Sequence, residues 1–359
     1  MAVDRKSAIA ALAKELGAGT LHTLSEQIKP KVESTGIATL DAALGTGGFT
    51  RGSMVALYGG PSSGKSALAY TAIGNLMKRD ETAMALVVDI ERSADKDWMA
   101  MFGCDPDRVM VMTCETIEEY VNKTLACIKS NSFDYIVVDS LGAVARSVDV
   151  FGKDGDGGDV GVQQVGGSSR VITSMVNLMN SALSAIDQEK YSGHEVVEPV
   201  ILFINQVRDV IGSRFPMQGM PGGNAFKHMC SVIVKVQASG AAADRMMGTV
   251  GGNKRQVGQR VMCTVEKNKF APPRRQGGYL FCYEPCDEYG FGIDSADALV
   301  SLAVERGVVM GRGAWLYHGE DKYNGRQALC SAVRGDEKLY GVLYRETMET
   351  FAREAFDAR

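Results

Sequence analysis

No apolar run in this 359-residue chain approaches the roughly 20 residues that a membrane-spanning helix needs. Met1 to Gly17 carries charges throughout and lacks a long apolar core, so no signal peptide is expected and a cytoplasmic location is. The eight cysteines are scattered. Cys282 and Cys286 are the closest pair, and no second pair completes a zinc site. Free thiols suit a reducing compartment. The net charge of −4 carries no basic surplus, so any nucleic-acid contact must come from a local surface. No internal repeat is visible. The apolar fraction is ordinary for a globular protein, and the length predicts one large α/β domain with small additions.

One stretch carries specific chemistry. Gly59-Gly60-Pro61-Ser62-Ser63-Gly64-Lys65-Ser66 fits G-x-x-x-x-G-K-[ST], a phosphate-binding loop. Met54 to Tyr58 predicts a buried strand before it, and Ala67 to Met77 a helix after it. Glycines let the backbone N–H groups curl toward phosphate oxygens. The helix adds its positive N-terminal end. Lys65 is expected to reach the β- and γ-phosphates of ATP, and the Ser66 hydroxyl to ligate Mg²⁺. A chance Gly/Ser-rich turn would lack this strand and helix.

Three further apolar runs predict strands: 84–89, 134–140 and 199–206. Helical patterns separate them, at 117–129 and 171–186. Continuous β-branched runs alternating with helices predict a parallel sheet covered on both faces. Ligands then sit beyond the carboxyl ends of the strands. The four runs end at the phosphate loop, Glu91, Asp139 and Gln206, so the four ends are expected to converge. Asp139 after four apolar residues fits an acid that holds Mg²⁺ through water. Glu91 is a candidate base for an attacking water; the plainer reading is a solvated strand-end glutamate.

Residues 151–169, with seven glycines, and 207–226 both follow strand ends on this side. Loops this long inside a compact domain are usually functional. Farther on, 231–237, 259–267 and 278–283 alternate like antiparallel strands, with 240–260 read as a polar loop between them. Residues 296–305 and 338–356 predict helices and 314–317 a strand. At the start, Ile9, Leu12, Ala13 and Leu16 lie at helical spacing before Gly17. So short a helix needs a partner for its apolar face.

Together these residues resemble the RecA family of bacterial and phage recombinases, from the first helix to about Trp315. The matching stretches are Ser34-Thr35-Gly36 through Gly48, the phosphate loop with its proline displaced by one position, and Val138-Asp139-Ser140. Phe203-Ile204-Asn205-Gln206-Val207-Arg208 and Gly222-Gly223-Asn224-Ala225 are the most specific. Lys267-Asn268-Lys269 with Ala271-Pro272 completes the set.

The resemblance implies a RecA-like P-loop NTPase core over 33–287, an N-terminal polymerisation arm over 1–32 and a small α/β C-terminal domain over 288–359. It implies that Glu91 activates water and that Gln206 senses the γ-phosphate. Trp98 stands where a tyrosine stacks on adenine, Asp95 contacts the adenine edge, and Tyr283 belongs to the nucleotide-binding set. Lys267 and Lys269 reach the ATP of the next subunit; the plainer reading is two exposed strand lysines. Gln164, Val165 and Arg170 in the first loop, and Arg208, Ile211, Gly222, Gly223 and Asn224 around the second, grip DNA. The activity so implied is a DNA-dependent ATPase that forms a helical filament on single-stranded DNA, pairs it with homologous duplex and exchanges strands. A ring-forming helicase on the same core lacks support from Gly222-Gly223-Asn224. A non-catalytic mediator would be expected to have lost Glu91 or Lys65. Three departures stand out: Asp154, Asp156 and Asp159 make the first loop acidic, His228 replaces an aromatic, and no acidic tail follows Phe356.

Overall fold

A computed structural model of the chain describes residues 4–142, 167–209, 218–286 and 289–357. Its centre is a ten-stranded sheet. The strands are β1 (Ser53–Gly59), β2 (Ala85–Asp89), β3 (Val109–Met112), β4 (Tyr135–Asp139), β5 (Val200–Gln206), β6 (Val232–Ala238), β7 (Arg245–Val250), β8 (Asn253–Asn268), β9 (Gln276–Cys282) and β10 (Gly292–Ile293). They lie in the order β10-β9-β8-β6-β1-β5-β4-β2-β3, with β7 hydrogen-bonded to β8. Pairing is parallel from β6 across to β3 and antiparallel from β6 to β10. Besides a short helix at Lys96–Ala100, the helices are α1 (Arg5–Leu16), α2 (Ala38–Leu44), α3 (Lys65–Arg79), α4 (Ile117–Lys129), α5 (Gly167–Tyr191), α6 (Gly223–Met229), α7 (Ser295–Glu305), α8 (Gly325–Gly335) and α9 (Glu337–Asp357). The chain therefore has the α/β fold with a mostly parallel central sheet that the apolar runs predict.

Side chains alternate across a strand, and that alternation divides the core in two. Val55, Leu57, Val87, Val137, Leu202 and Ile204 face one way, against Leu68, Ala72, Ile73 and Leu76 of α3. Met54, Ala56, Val88, Val138, Ile201 and Phe203 face the other way, against Ile172, Met175, Val176 and Met179 of α5 and Phe226 of α6. Every residue of β1, β2 and β4 is buried. Such double burial makes these strands continuous apolar runs rather than alternating ones.

A third cluster joins Leu299, Val300 and Ala303 of α7 to Leu329 and Val333 of α8 and Leu343 of α9, and it includes Ala38 and Ala42 of α2. Asp41 lies at this seam with no exposed surface. Its carboxylate accepts hydrogen bonds from Ser34 Oγ (2.5 Å), Thr35 N (2.8 Å), Thr35 Oγ1 (2.7 Å) and Tyr344 OH (2.8 Å). Burial pushes this carboxyl from 3.8 up to about 6, against the lowering by those donors. A raised acid pKa means that the folded state holds the proton longer than the unfolded one. Its contribution to stability is full below pH 4 and is lost as pH rises through 6, by about 3 kcal/mol in all. In thermal melts between pH 4 and 7, Asp41→Asn is expected to gain on the wild type by that amount as pH rises. A constant difference would refute the shift.

The first helix exposes its apolar stripe. Ile9, Leu12 and Leu16 are all exposed, and α1 buries no residue. The following segment fastens to the end of α5: His22 stacks on Tyr191 at 3.7 Å, and Gln188 Nε2 donates to Thr20 Oγ1 at 2.6 Å.

Two sequence expectations need correction, and two elements were not expected. Residues 240–260 are not a loop: β7 and the outer half of β8 form a hairpin turning at Gly251-Gly252. Met246 and Val257 alternate with polar neighbours and bury against Cys282, a pattern too short to stand out among lysines and arginines. The run at 231–237 is a junction, parallel to β1 on one edge and antiparallel to β8 on the other. The sheet-edge strand β3 and helix α8 have no counterpart among the predicted elements. Val109 to Met112 is an apolar run, but it is only four residues long, and its Met110 and Val111 are exposed at the sheet edge.

Candidate nucleotide site and the strand ends around it

The register of the parallel strands builds the site. Gly59 pairs with Gln206, Asp139 with Ile204, and Asp89 with Asp139. The carboxyl ends of β1, β5, β4 and β2 thus finish side by side. The phosphate loop leaves β1 at Gly59, where a Cβ would lie 2.0 Å from the Val236 carbonyl oxygen of β6. Only glycine fits there. Gly64 caps α3 with φ of 93°, a left-handed conformation that side chains disfavour. Ser62 also has positive φ, 54°. Pro61 and Ser62 are exposed, Gly60 is half-buried, and Ser63 is buried.

Lys65 is buried, and its ammonium donates to the Gly59 and Gly60 carbonyls at 3.2 and 2.7 Å and to Ser63 Oγ at 3.4 Å. Burial lowers its pKa, while Asp139 and Glu91 favour its charge. Ser66 Oγ donates to Asp139 Oδ2 at 3.2 Å. Burial pushes the Asp139 carboxyl up to about 6; Glu91 and Asp89 add to the rise, and Ser66 and Lys65 oppose it. An anion against Lys65 and a cation against Asp139 would each relieve a desolvated charge.

Glu91 follows β2, and its Oε1 accepts from Ser140 Oγ at 2.5 Å. Glu91 itself is exposed, so it is at once solvated and held by that hydrogen bond. Asp89 shapes the turn that carries it, accepting from Ser93 N and Ala94 N at 3.0 and 2.9 Å. Gln206 ends β5, and the next amide, Val207 N, donates to Gly59 O at 3.2 Å. The sequence reading missed Asp89 and the Ser140 contact. Their only signal is position, one polar residue at each strand end.

Asp95 caps a short helix, accepting from Trp98 N at 2.7 Å. Trp98 is 38% exposed and meets Phe102 and Phe291 edge-on, with centroids 5.3 and 5.1 Å away. The two phenyl rings thus hold the indole while part of it remains open to a flat partner. Tyr283 is exposed just beyond β9, near Phe281.

Lys267 and Lys269 do not meet these groups. Lys267 pairs with Ile233 of β6, which pairs with Ala56, and Lys269 N donates to Ser231 O at the amino end of β6. Lys267 Nζ donates to the Lys227 and His228 carbonyls at 2.6 and 2.8 Å, and Lys269 Nζ reaches the Met229 carbonyl at 3.5 Å. Both ammonium groups therefore cap the C-terminal end of α6, where cations are favoured. The imidazole of His228 is exposed.

Of the residues assigned to the loops, Arg170 is exposed in the first turn of α5. Arg208 belongs to a two-stranded ribbon that pairs 208–209 with 218–219. Gly222 caps α6, and Gly223 and Asn224 are exposed at its start. Gln164, Val165 and Ile211, and the acidic Asp154, Asp156 and Asp159, lie outside the described residues.

A buried strand, a phosphate-binding loop, its helix and an acid at a neighbouring strand end define a nucleotide-binding P-loop protein of the RecA-like fold. The model of the RecA N-terminal domain family matches residues 4–285. Protein RecA of Kineococcus radiotolerans is 32% identical over 340 residues, covering 93% of this chain and 87% of its own. Protein RecA of Chlorobium limicola is 32% identical over 350 residues, covering 95% and 90%. A crystal structure of the RadB recombinase aligns with 69% of this chain and 94% of its own, with TM-score 0.47 and 18% identity. The chain belongs to the RecA family. Membership gives it a recombinase-family role in which nucleotide and DNA binding take part. Among the described residues, no helix is long and apolar enough to cross a membrane.

Proposed function

We propose that this protein is a DNA-dependent ATPase that assembles as a helical filament on single-stranded DNA, pairs it with homologous duplex and promotes strand exchange in recombinational repair. The observation that carries the reading is the shared edge of the sheet. Asp139 and Gln206 end their strands, Glu91 follows the end of β2, and Lys65 and Ser66 open α3 just beyond β1, all at the same side of the sheet, and β5 runs directly into the ribbon at 208–209. Whatever displaces Gln206 pulls on the stem of the second DNA loop.

ATP and Mg²⁺ are the proposed cofactors. Gly59 to Ser66 would cradle the phosphates, with Trp98, Asp95 and Tyr283 toward the base. Ser66 and Asp139 offer the hard oxygen donors that Mg²⁺ prefers. The bound triphosphate supplies a phosphoanhydride whose cleavage releases the filament. The residues of this chain do the rest. Lys65 neutralises phosphate charge, and Glu91, held by Ser140, accepts the proton of the attacking water. Lys267 and Lys269 face away from their own phosphate loop and serve the next subunit's site. The exposed stripe of α1 (Ile9, Leu12, Leu16) supports the arm at 1–32 as the other half of that joint. The divisions at 33–287 and 288–359 remain the proposed core and C-terminal domain, and a cytoplasmic location is part of the same reading. Gln164, Val165, Arg170, Arg208, Ile211, Gly222, Gly223 and Asn224 are the proposed DNA contacts. Val165 wedges between bases, Arg170 meets phosphate and the second-loop residues grip the backbone, so base pairing reads the sequence.

The test is ATP hydrolysis with and without unstructured single-stranded DNA across a salt series. Strong stimulation that fades with salt, abolished by Lys65→Ala, is the expected result. Hydrolysis indifferent to DNA would leave an ordinary NTPase.

A further inference from the structure

Asn205 has no exposed surface and precedes Gln206 at the end of β5. Its Nδ2 donates to the Pro221 carbonyl at 2.9 Å. That bond spans sixteen residues and closes the base of the second loop, because Pro221 leads directly into Gly222, the cap of α6. The amide orientation is set by chemistry: turned over, its oxygen would oppose the Pro221 oxygen. The other end of the amide, Oδ1, is buried and has no hydrogen-bond partner. It faces Gly142, where the chain leaves β4 for the first loop: a Cβ on Gly142 would lie 3.7 Å from Asn205 Oδ1 and 3.8 Å from Ser140 Oγ. The Ser140 hydroxyl hydrogen is already given to Glu91. A buried amide oxygen without a donor costs free energy, so this orientation persists for what the nitrogen holds.

We infer that Asn205 is a positioning residue that clamps the closing stem of the second loop to the strand end carrying Gln206, making nucleotide sensing and DNA gripping one rigid movement. The inference rests on the recombinase reading above. Asn205 touches neither nucleotide nor DNA. It acts through α6, whose far end is held by Lys267 and Lys269. Without the clamp, Gln206 still pulls on the ribbon at 208–209, but the 222–224 stem keeps its own position.

The variant is Asn205→Ser, which deletes the bond and leaves the half-exposed Pro221 carbonyl open to water. DNA-free hydrolysis and the KM for ATP are expected to stay within about twofold of wild type, a shift of under half a kcal/mol. The DNA concentration giving half-maximal stimulation is expected to rise at least about tenfold. An unchanged DNA half-saturation, or an equal fall in DNA-free hydrolysis, overturns the inference. Wild-type protein that DNA does not stimulate would sink the recombinase reading itself, and that arm is read first. Amide exchange of wild-type protein gives a second readout that needs no variant. On exchanging ADP for a non-hydrolysable ATP analogue, protection at 223–226 is expected to change together with protection at 206–207. A change at 206–207 alone overturns the clamp.

Discussion

Glu91→Gln is expected to lower ATP turnover by about 10²–10⁴-fold, the usual worth of a positioned general base, while nucleotide-dependent binding to single-stranded DNA survives. The substitution is nearly isosteric. Ser140 Oγ sits 2.5 Å from Glu91 Oε1 and can donate equally well to an amide oxygen. The side chain therefore stays in place, and only its capacity to take a proton is lost. The missing rate corresponds to about 3–5 kcal/mol of barrier. Phosphate release measures the first half of the prediction, and fluorescence anisotropy of a labelled oligonucleotide with ATP measures the second. Turnover near wild type would reassign the base. Loss of both activities would mean that Glu91 shapes the site instead of working in it.

Much of this arrangement can be read from the chain itself. A parallel strand buried on both faces writes itself as an unbroken apolar run, so β1, β2, β4 and β5 were plain, and so was the polar residue that ends each of them. In a parallel sheet those ends share one edge, which is why Lys65, Asp139, Glu91 and Gln206 converge. The hairpin of β7 and β8 was hidden because it is wet on one side and carries Lys254 and Arg255. Its buried residues, Met246 and Val257, are too few to form a pattern. The contacts of Ser140 and Asn205 were hidden for another reason. Periodicity says which face a residue lies on, while a hydrogen bond between neighbouring strand ends depends on register, which appears only once the sheet is assembled. The lysine pair is an intermediate case. Spacing two apart puts Lys267 and Lys269 on one side of a strand, but their place at the far end of α6 depends on the antiparallel turn of β8 against β6.

That place makes the second large prediction. Lys267 stands opposite Ile233 and Ala56, three residues before Gly59 on β1, or about 10 Å along the strand. Lys269 stands farther still. Neither ammonium group is directed at its own subunit's phosphates. The double substitution Lys267→Ala, Lys269→Ala is therefore expected to lower DNA-stimulated hydrolysis by about 10³-fold or more, the scale of a charged finger supplied across an interface. It removes two cations from the end of α6 as well, so a fall alone does not separate a lost finger from a loosened helix. Mixing does. The Glu91→Gln protein has a dead site and intact lysines; the lysine variant has an intact site and offers nothing to its neighbour. In a head-to-tail assembly, random mixing at equal amounts creates a complete joint at about a quarter of the contacts. Two inactive proteins are then expected to recover hydrolysis on combination, on DNA and not off it. If the mixture stays as dead as its parts, the lysines act within their own subunit, holding α6 in place.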